Sequence, residues 1–159
     1  MTIQVGDKIP HCTLKVMGKD GPQNITTEEL FNNKKVVLFA VPGAFTPGCS
    51  MTHLPGYVVN ADKILARGVD SIVCLSVNDA FVMDAWGKAQ NAEQIIMLAD
   101  GNAEFAKAMD VALDASGFGM GLRCKRLAMI VENSVVSYLA IEPPGGIVVS
   151  AAEAILEKL

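Results

Sequence analysis

Apolar residues in this chain come in short runs set between polar segments, and the strongest run is Val36-Val37-Leu38-Phe39-Ala40-Val41. Unbroken apolar character after Lys34 and Lys35 predicts a strand covered on both faces. Ahead of it, Cys12 to Val16 predicts an early strand and Thr27-Glu28-Glu29-Leu30 a short capped helix. After it, Pro42 and Gly43 end the strand. A helix is predicted over 47–66, with Thr46 as N-cap, Pro47 at the first helical position and Gly68 just past its end. Pro55 is expected to kink it.

The alternation then repeats. Ser71 to Val77 reads as a second strand, and Asn78-Asp79 as the cap of a helix carrying Phe81, Val82, Ala85 and Trp86. Ile95 to Leu98 predicts a third strand, followed by a helix capped by Asn102 and running to Met109. Gly117-Phe118-Gly119-Met120-Gly121 reads as a flexible connection. Leu127 to Val131 and Val135 to Leu139, joined at Asn133, predict a hairpin, and a helix from Ser150 to Leu159 ends the chain. Strands alternating with helices predict an α/β layered fold with an at least partly parallel sheet, in a single domain over 1–159.

Composition narrows the partners more than the fold. With 51% hydrophobic and 19% charged residues in 159, the chain can bury a sizeable core. A net charge of −4 and thirteen scattered Lys and Arg give no basic surface for nucleic acid or anionic lipid. Met1 to Asp7 lacks the layout of a signal peptide, and no apolar stretch approaches membrane-spanning length, so a cytoplasmic protein is expected. Cys12, Cys49, Cys74 and Cys124 are spread without CxxC pairing, which argues for reduced thiols rather than a disulfide framework or zinc ribbon.

One of those thiols has a chemical address. Cys49 lies where the buried strand gives way to the helix, among free backbone N–H groups at the positive end of the helix dipole, a setting that favours thiolate over thiol. The string Pro42-Gly43-Ala44-Phe45-Thr46-Pro47-Gly48-Cys49-Ser50, followed by His53-Leu54-Pro55-Gly56, resembles the active-site signature of peroxiredoxins of the type II, or peroxiredoxin-five-like, branch. Ser76 to Trp86 and Arg126 to Val131 resemble two further blocks of that family, so the likeness spans nearly the whole chain.

The resemblance implies a thioredoxin-like fold, with a central mixed β-sheet flanked by helices, and a thiol peroxidase acting on hydrogen peroxide and organic hydroperoxides without a cofactor. It implies Cys49 as the peroxidatic nucleophile, Thr46 as the hydroxyl that bonds the substrate oxygens, Pro42 as the shield of the thiolate, and Arg126, rather than Arg123, as the active-site arginine. The family often dimerises near the active site, so a homodimer is expected.

Thiol acidity alone does not make a fast peroxidase. Lowering a thiol's pKa from near 8.5 to roughly 6 raises its ionised fraction at neutral pH about thirtyfold, but falling nucleophilicity removes about tenfold of that gain. The remainder must come from donors aimed at the peroxide oxygens. Arg126, the Thr46 hydroxyl and the Cys49 N–H are the expected set.

Turnover needs a second sulfur to take up the sulfenic acid. Cys74, 25 positions beyond Cys49, matches the placement of a second cysteine in some type II members, yet its mid-strand position equally suits a buried inert thiol. Val148-Val149-Ser150 closes the route through a cysteine near the carboxyl terminus. Glutathione with a glutaredoxin is then the expected reductant, and a thioredoxin system the next. Cys124 is expected to be a surface or loop thiol, although a strand-like approach would put it on the same face as Arg126. Cys12 carries no functional expectation.

The remaining candidates have plainer readings. Cys49 and His53 have i, i+4 spacing, but two ligands make no metal site, so packing or a hydrogen bond is expected for His53. Trp86 and Phe81 are expected in the core; Phe45 and Phe118 either line an apolar mouth for alkyl hydroperoxides or pack at a dimer contact. Two rivals to a peroxidase are a cysteine phosphatase, which needs an arginine where Pro55 stands, and a non-catalytic redox-relay or chaperone protein.

Overall fold

The structure is a computed structural model describing residues Met1–Leu159. Its strands are β1 (Thr13–Gly18), β2 (Gly21–Thr26), β3 (Lys35–Val41), β4 (Ser71–Ser76), β5 (Ile95–Ala99), β6 (Ala112–Asp114), β7 (Leu122–Cys124), β8 (Leu127–Glu132) and β9 (Val135–Ile141). Its α-helices are α1 (Thr27–Phe31), α2 (Leu54–Leu65), α3 (Ala80–Ala89), α4 (Glu104–Ala108) and α5 (Ala152–Leu156). A seven-stranded sheet runs in the order β2-β1-β5-β4-β3-β8-β9, parallel across β5-β4-β3 and antiparallel elsewhere.

The apolar run of β3 is explained by burial on both sides of this sheet. Val36, Leu38 and Ala40 join Leu30 and Phe31 of α1 and Phe105 and Ala106 of α4 on one face. Val37, Phe39 and Val41 join α2, α3 and α5 on the other, where Tyr57, Met83, Trp86 and Ile155 are buried. Period-two alternation therefore distributes one strand between two cores. The second core also holds Cys49 and Cys74, whereas Cys12 and Cys124 belong to the first.

The sheet thus corrects one expectation. Cys124 is neither a surface thiol nor a neighbour of Arg126's pocket: it is fully buried on the opposite face from Cys49, and burial pushes its thiol up to about 12. Strand alternation does not carry across Lys125, because β7 pairs with β6 in a separate two-stranded sheet before the chain enters β8. That small sheet flanks the glycine-rich segment, where Ser116–Phe118 makes a 3-10 turn.

The early hairpin partner β2 also lay outside the apolar pattern. It is an edge strand of polar residues, with Pro22 tolerated because it sits at the sheet margin. The short helix α1 is where it was expected, with a capping box between Thr26 and Glu29. The hairpin of β8 and β9 is confirmed, and Asn133 and Ser134 take positive φ values of 48° and 67° at its turn.

Helix starts differ in detail. Asp79 caps α3 by accepting from the Val82 N–H. Asn102 does not cap α4; the buried Asp100 carboxylate accepts from the N–H groups of Phe105 and Ala106 instead. Phe81, expected inside, is 66% exposed on the first turn of α3, while Trp86 is fully buried as expected. The final helix is shorter than predicted, and Ser150 lies before it.

The helix that follows β3 is divided. Leu54 N–H returns to Cys49 C=O, an i to i+5 bond that makes Cys49–His53 one π-turn, and α2 follows. Pro55 explains the break: it has no N–H to give to Met51, so the ladder widens just before it.

Candidate active site

The site begins at the carboxyl end of β3. Pro42, Gly43, Ala44 and Phe45 turn the chain away from the sheet, with Phe45 held at φ 64°. Two contacts fix this turn. The Ala44 N–H donates to Asn78 Oδ1 at 3.0 Å, and the Ser76 hydroxyl donates to the same oxygen at 2.6 Å. Asn78 thus ties the loop to the end of β4, a role hidden by its resemblance to a helix cap.

Thr46 occupies the N-cap position, and its carbonyl accepts from the Ser50 N–H at 2.9 Å. Its hydroxyl, however, donates to the Gly43 carbonyl at 2.7 Å. A hydroxyl has one proton and two lone pairs, so with its proton given to Gly43 Thr46 has lone pairs, and no donor, left to offer.

Cys49 opens the π-turn and is fully buried. Arg126, in the link between β7 and β8, reaches it from across the fold: Nη2 donates to Cys49 Sγ at 3.2 Å. The same guanidinium donates through Nη1 to His53 Nδ1 at 2.8 Å. Arg123 lies nearby but serves the backbone, with Nε donating to Met120 C=O at 2.9 Å and Nη1 to Pro42 C=O at 3.4 Å. Of the two arginines, Arg126 is the one whose guanidinium lies within hydrogen-bond distance of the sulfur.

Two glycines lie in close quarters with side chains of the site. A Cβ on Gly43 would lie 3.1 Å from Arg123 Nη1 and from Thr46 Cγ2, and one on Gly48 would lie 3.2 Å from Ile147 Cδ1 and 3.4 Å from Arg126 Nη2. Pro42, Gly48 and Arg126 share the wall of a cavity of about 640 Å³ with Phe118, Pro143 and Ile147. Its volume falls in the range of small-molecule sites and far exceeds what a peroxide group needs.

His53 was expected to pack or bond, and it does both. It is buried against Phe39, with ring centroids 5.1 Å apart, and its Nε2 faces the Ser150 carbonyl at 3.0 Å. Burial and the neighbouring Arg126 charge pull its pKa down to about 4, against the opposing influence of the Ser150 carbonyl and Glu142. The ring is consequently neutral at ordinary pH. No group of His, Cys, Asp and Glu around it has the makings of a metal site.

Glu142 is the residue the sequence reading missed altogether. Its carboxylate accepts from the N–H groups of Val148, Val149 and Ser150 and from the Ser150 hydroxyl. Burial alone would raise its pKa, but these four donors outweigh it and hold the carboxyl below its ordinary value. Only its position just before Pro143-Pro144-Gly145-Gly146 hinted at a carboxylate organising a loop.

Cys74 lies in β4 opposite Phe39, two positions short of the Val41–Ser76 pair at the strand ends. It is fully buried, and burial followed by the influence of Cys49 pushes its thiol well above the usual range.

The same folded arrangement recurs in known proteins. The family model described as Redoxin matches residues 4–156. Peroxiredoxin-2E-2, chloroplastic, of Oryza sativa subsp. japonica is 44% identical over 99% of this chain and 73% of its own length. Peroxiredoxin-2D of Arabidopsis thaliana is 41% identical over 99% of this chain and 98% of its own. The crystal structure of reduced Prx3 in complex with H2O2 from Vibrio vulnificus superposes with a TM-score of 0.96 at 55% identity, covering 99% of each chain. Agreement of this extent, in sequence and in fold, settles the family: the chain belongs to the Redoxin family, among its peroxiredoxins, the thiol peroxidases that reduce peroxides at the expense of a thiol reductant.

Proposed function

We propose that Cys49 is the peroxidatic sulfur of this enzyme and that Arg126, Thr46 and Pro42 complete its reaction site. The observation that carries the reading is the 3.2 Å contact from Arg126 Nη2 to Cys49 Sγ. An ionised Cys49 attacks the hydroxyl-bearing oxygen of hydrogen peroxide or an alkyl hydroperoxide. The S–O bond forms as the O–O bond breaks, leaving cysteine sulfenic acid. The departing oxygen takes a proton from solvent and leaves as water or an alcohol.

The residues divide the work by polarity. Negative charge moves from sulfur onto the departing oxygen, and on this reading the N–H donors of Arg126 with that of Cys49 receive it. Thr46 accepts the peroxide O–H through a lone pair, which turns the attacked oxygen toward the sulfur. Pro42 walls the cavity without offering an N–H to compete for it. The apolar share of that cavity, Phe118, Pro143 and Ile147, supports alkyl hydroperoxides as substrates beside hydrogen peroxide.

For reduction, the depth of Cys74 favours an external partner. A Cys49–Cys74 bond requires Cα atoms closer than about 7 Å between two fully buried thiols, so on this reading it forms only through a rearrangement of the π-turn that carries Cys49. Glutathione with a glutaredoxin is therefore the proposed reductant, with thioredoxin as the alternative and Cys74 as resolving residue only if that turn opens. The four unpaired cysteines suit a reducing, cytoplasmic setting. Exposed Phe45, Met51 and Phe118 beside the site support a homodimer.

Peroxide consumption with glutathione and a glutaredoxin tests the assignment. The activity is expected to vanish in Cys49→Ser, and a variant that still consumes peroxide would overturn it. Mapping every sulfur after one equivalent of peroxide tests the resolving step: a glutathione adduct on Cys49 is expected, and a Cys49–Cys74 disulfide would make the cycle internal.

A further inference from the structure

An arginine side chain is long and rich in rotamers, so its donors act in catalysis only if something holds the guanidinium in place. No carboxylate lies within ion-pair distance of Arg126; the ion pairs of this protein are His11–Glu28 and Lys88–Asp84. The guanidinium has two side-chain partners, Cys49 Sγ and His53 Nδ1. One of these changes chemically in every turnover. The other does not.

His53 is itself held from the far side. Because Nδ1 accepts from Arg126, the ring proton must sit on Nε2, where it donates to the Ser150 carbonyl at 3.0 Å. That carbonyl also accepts from the Tyr57 hydroxyl at 2.7 Å, and Tyr57 stacks on Phe39 with a centroid separation of 3.8 Å. The Ser150 N–H and hydroxyl bond to Glu142, whose own N–H donates to the Arg126 carbonyl at 2.9 Å. A closed circuit results, in which Glu142 fixes the main chain of Arg126 directly and its guanidinium through Ser150 and His53.

We propose that His53 is a positioning residue for peroxide reduction: its Nδ1 takes one guanidinium N–H of Arg126 and thereby aims the remaining donors at the sulfur and the departing oxygen. A neutral imidazole suits this task because it orients the arginine without neutralising it, leaving the full positive charge for the oxygen on which negative charge grows. Glu142 supports the same geometry by fixing Ser150. The inference rests on the reading of Arg126 and Cys49 given above. The charged and titratable groups facing the ring are Arg126 ahead of β8, Glu142 after β9, Tyr57 of α2 and Cys49 one turn back, with Cys74 of β4 beneath them.

Single-turnover oxidation of the reduced full-length enzyme by hydrogen peroxide, set beside alkylation of Cys49 by iodoacetamide, tests the proposal. His53→Leu is expected to slow peroxide oxidation by roughly ten- to a hundredfold, the scale of a misplaced catalytic group, while alkylation changes far less. His53→Asn, whose carbonyl oxygen replaces Nδ1 as acceptor, is expected to stay within roughly threefold of wild type. Should the leucine variant fail to fold, wild type and His53→Asn still decide the matter. The ratio of peroxide rate to alkylation rate is expected to fall in the wild type as the pH approaches about 4, where Nδ1 takes a proton, and to hold steady in the variant. Equal losses in both reactions for His53→Leu, or the same pH profile for wild type and His53→Asn, would overturn the proposal. Arg126→Ala separates the two levels: if it retains wild-type peroxide kinetics the underlying reading fails, whereas a slow Arg126→Ala beside a wild-type-like His53→Leu sinks the role of His53 alone.

Discussion

Trp86 donates its indole N–H to the hydroxyl of Ser50 at 2.9 Å, so the only tryptophan of the chain is bonded to the residue that follows Cys49. Trp86 is the fully buried side chain by which α3 packs into the core, and the Phe45 ring of the loop after β3 lies 6.5 Å from it. Any movement of the π-turn on oxidation must alter the surroundings of this fluorophore. Adding peroxide to the reduced protein is therefore expected to change intrinsic fluorescence at the rate of Cys49 oxidation, in a stopped-flow trace that Cys49→Ser abolishes. Ser50→Ala should shrink the signal. It should also destabilise the fold by about 1–3 kcal/mol, because a buried indole N–H loses its acceptor.

Arg126 serves sulfur and imidazole with separate nitrogens, a geometry that a lysine cannot copy. Arg126→Lys keeps the charge but replaces a planar fork with a single ammonium, which can follow one partner only at the expense of the other. Peroxide reduction is expected to fall by roughly a hundredfold, comparable to the loss of one preorganised donor. Circular dichroism and the urea midpoint should show a folded protein, so the loss reads as chemistry.

Asn78 makes a separable claim about the loop. Asn78→Ala leaves the Ala44 N–H and the Ser76 hydroxyl without their shared acceptor, at a cost of about 1–2 kcal/mol measured by urea unfolding. Because the loop places Thr46 and Phe45, the peroxide rate should fall as well. Asn78→Asp retains an acceptor oxygen and is expected to recover most of both losses.

The sequence made the local parts legible and left their meeting points open. A run such as Val36 to Val41 could be read because both of its faces are apolar, and β8 with β9 because Asn133 marks the turn between them. Polar β2 and the three-residue strands β6 and β7 have no such signature, since their pairing comes from the backbone. Arg126 was placed beside Cys49 by family likeness, as no spacing rule joins residues 77 positions apart. For His53 the i, i+4 step from Cys49 did carry information: it put both side chains on one face of the helix, though not what they would face. Glu142 and Ser150 escaped because their bond closes a loop, which no periodicity records. Cys124 shows the converse: expected as a surface or loop thiol, it is fully buried, because the short β6–β7 pair that carries it inside has no apolar pattern of its own.

Acid should loosen this enzyme in two stages with assignable sources. The His53 ring has a pKa of about 4 when folded, against an ordinary value of 6.5, because it is buried beside Arg126. Above 6.5 it is neutral in both states and contributes nothing to the pH dependence. Between 6.5 and about 4 only the unfolded chain takes up its proton, so stability falls with falling pH. The full difference corresponds to about 3 kcal/mol. Glu142 adds a later stage. Its folded pKa lies below the ordinary 4.5, so its contribution is complete above that value and is lost as pH falls through the folded one. Urea unfolding followed from about pH 8 to about pH 2 is expected to show the first decline below about 6.5, and His53→Asn to flatten it while leaving the more acidic stage in place. Glu142→Gln should do the reverse. A wild-type profile that stays level down to about pH 5 would mean that His53 is protonated as readily in the folded enzyme as outside it, and a charged imidazole could not accept a hydrogen bond from Arg126.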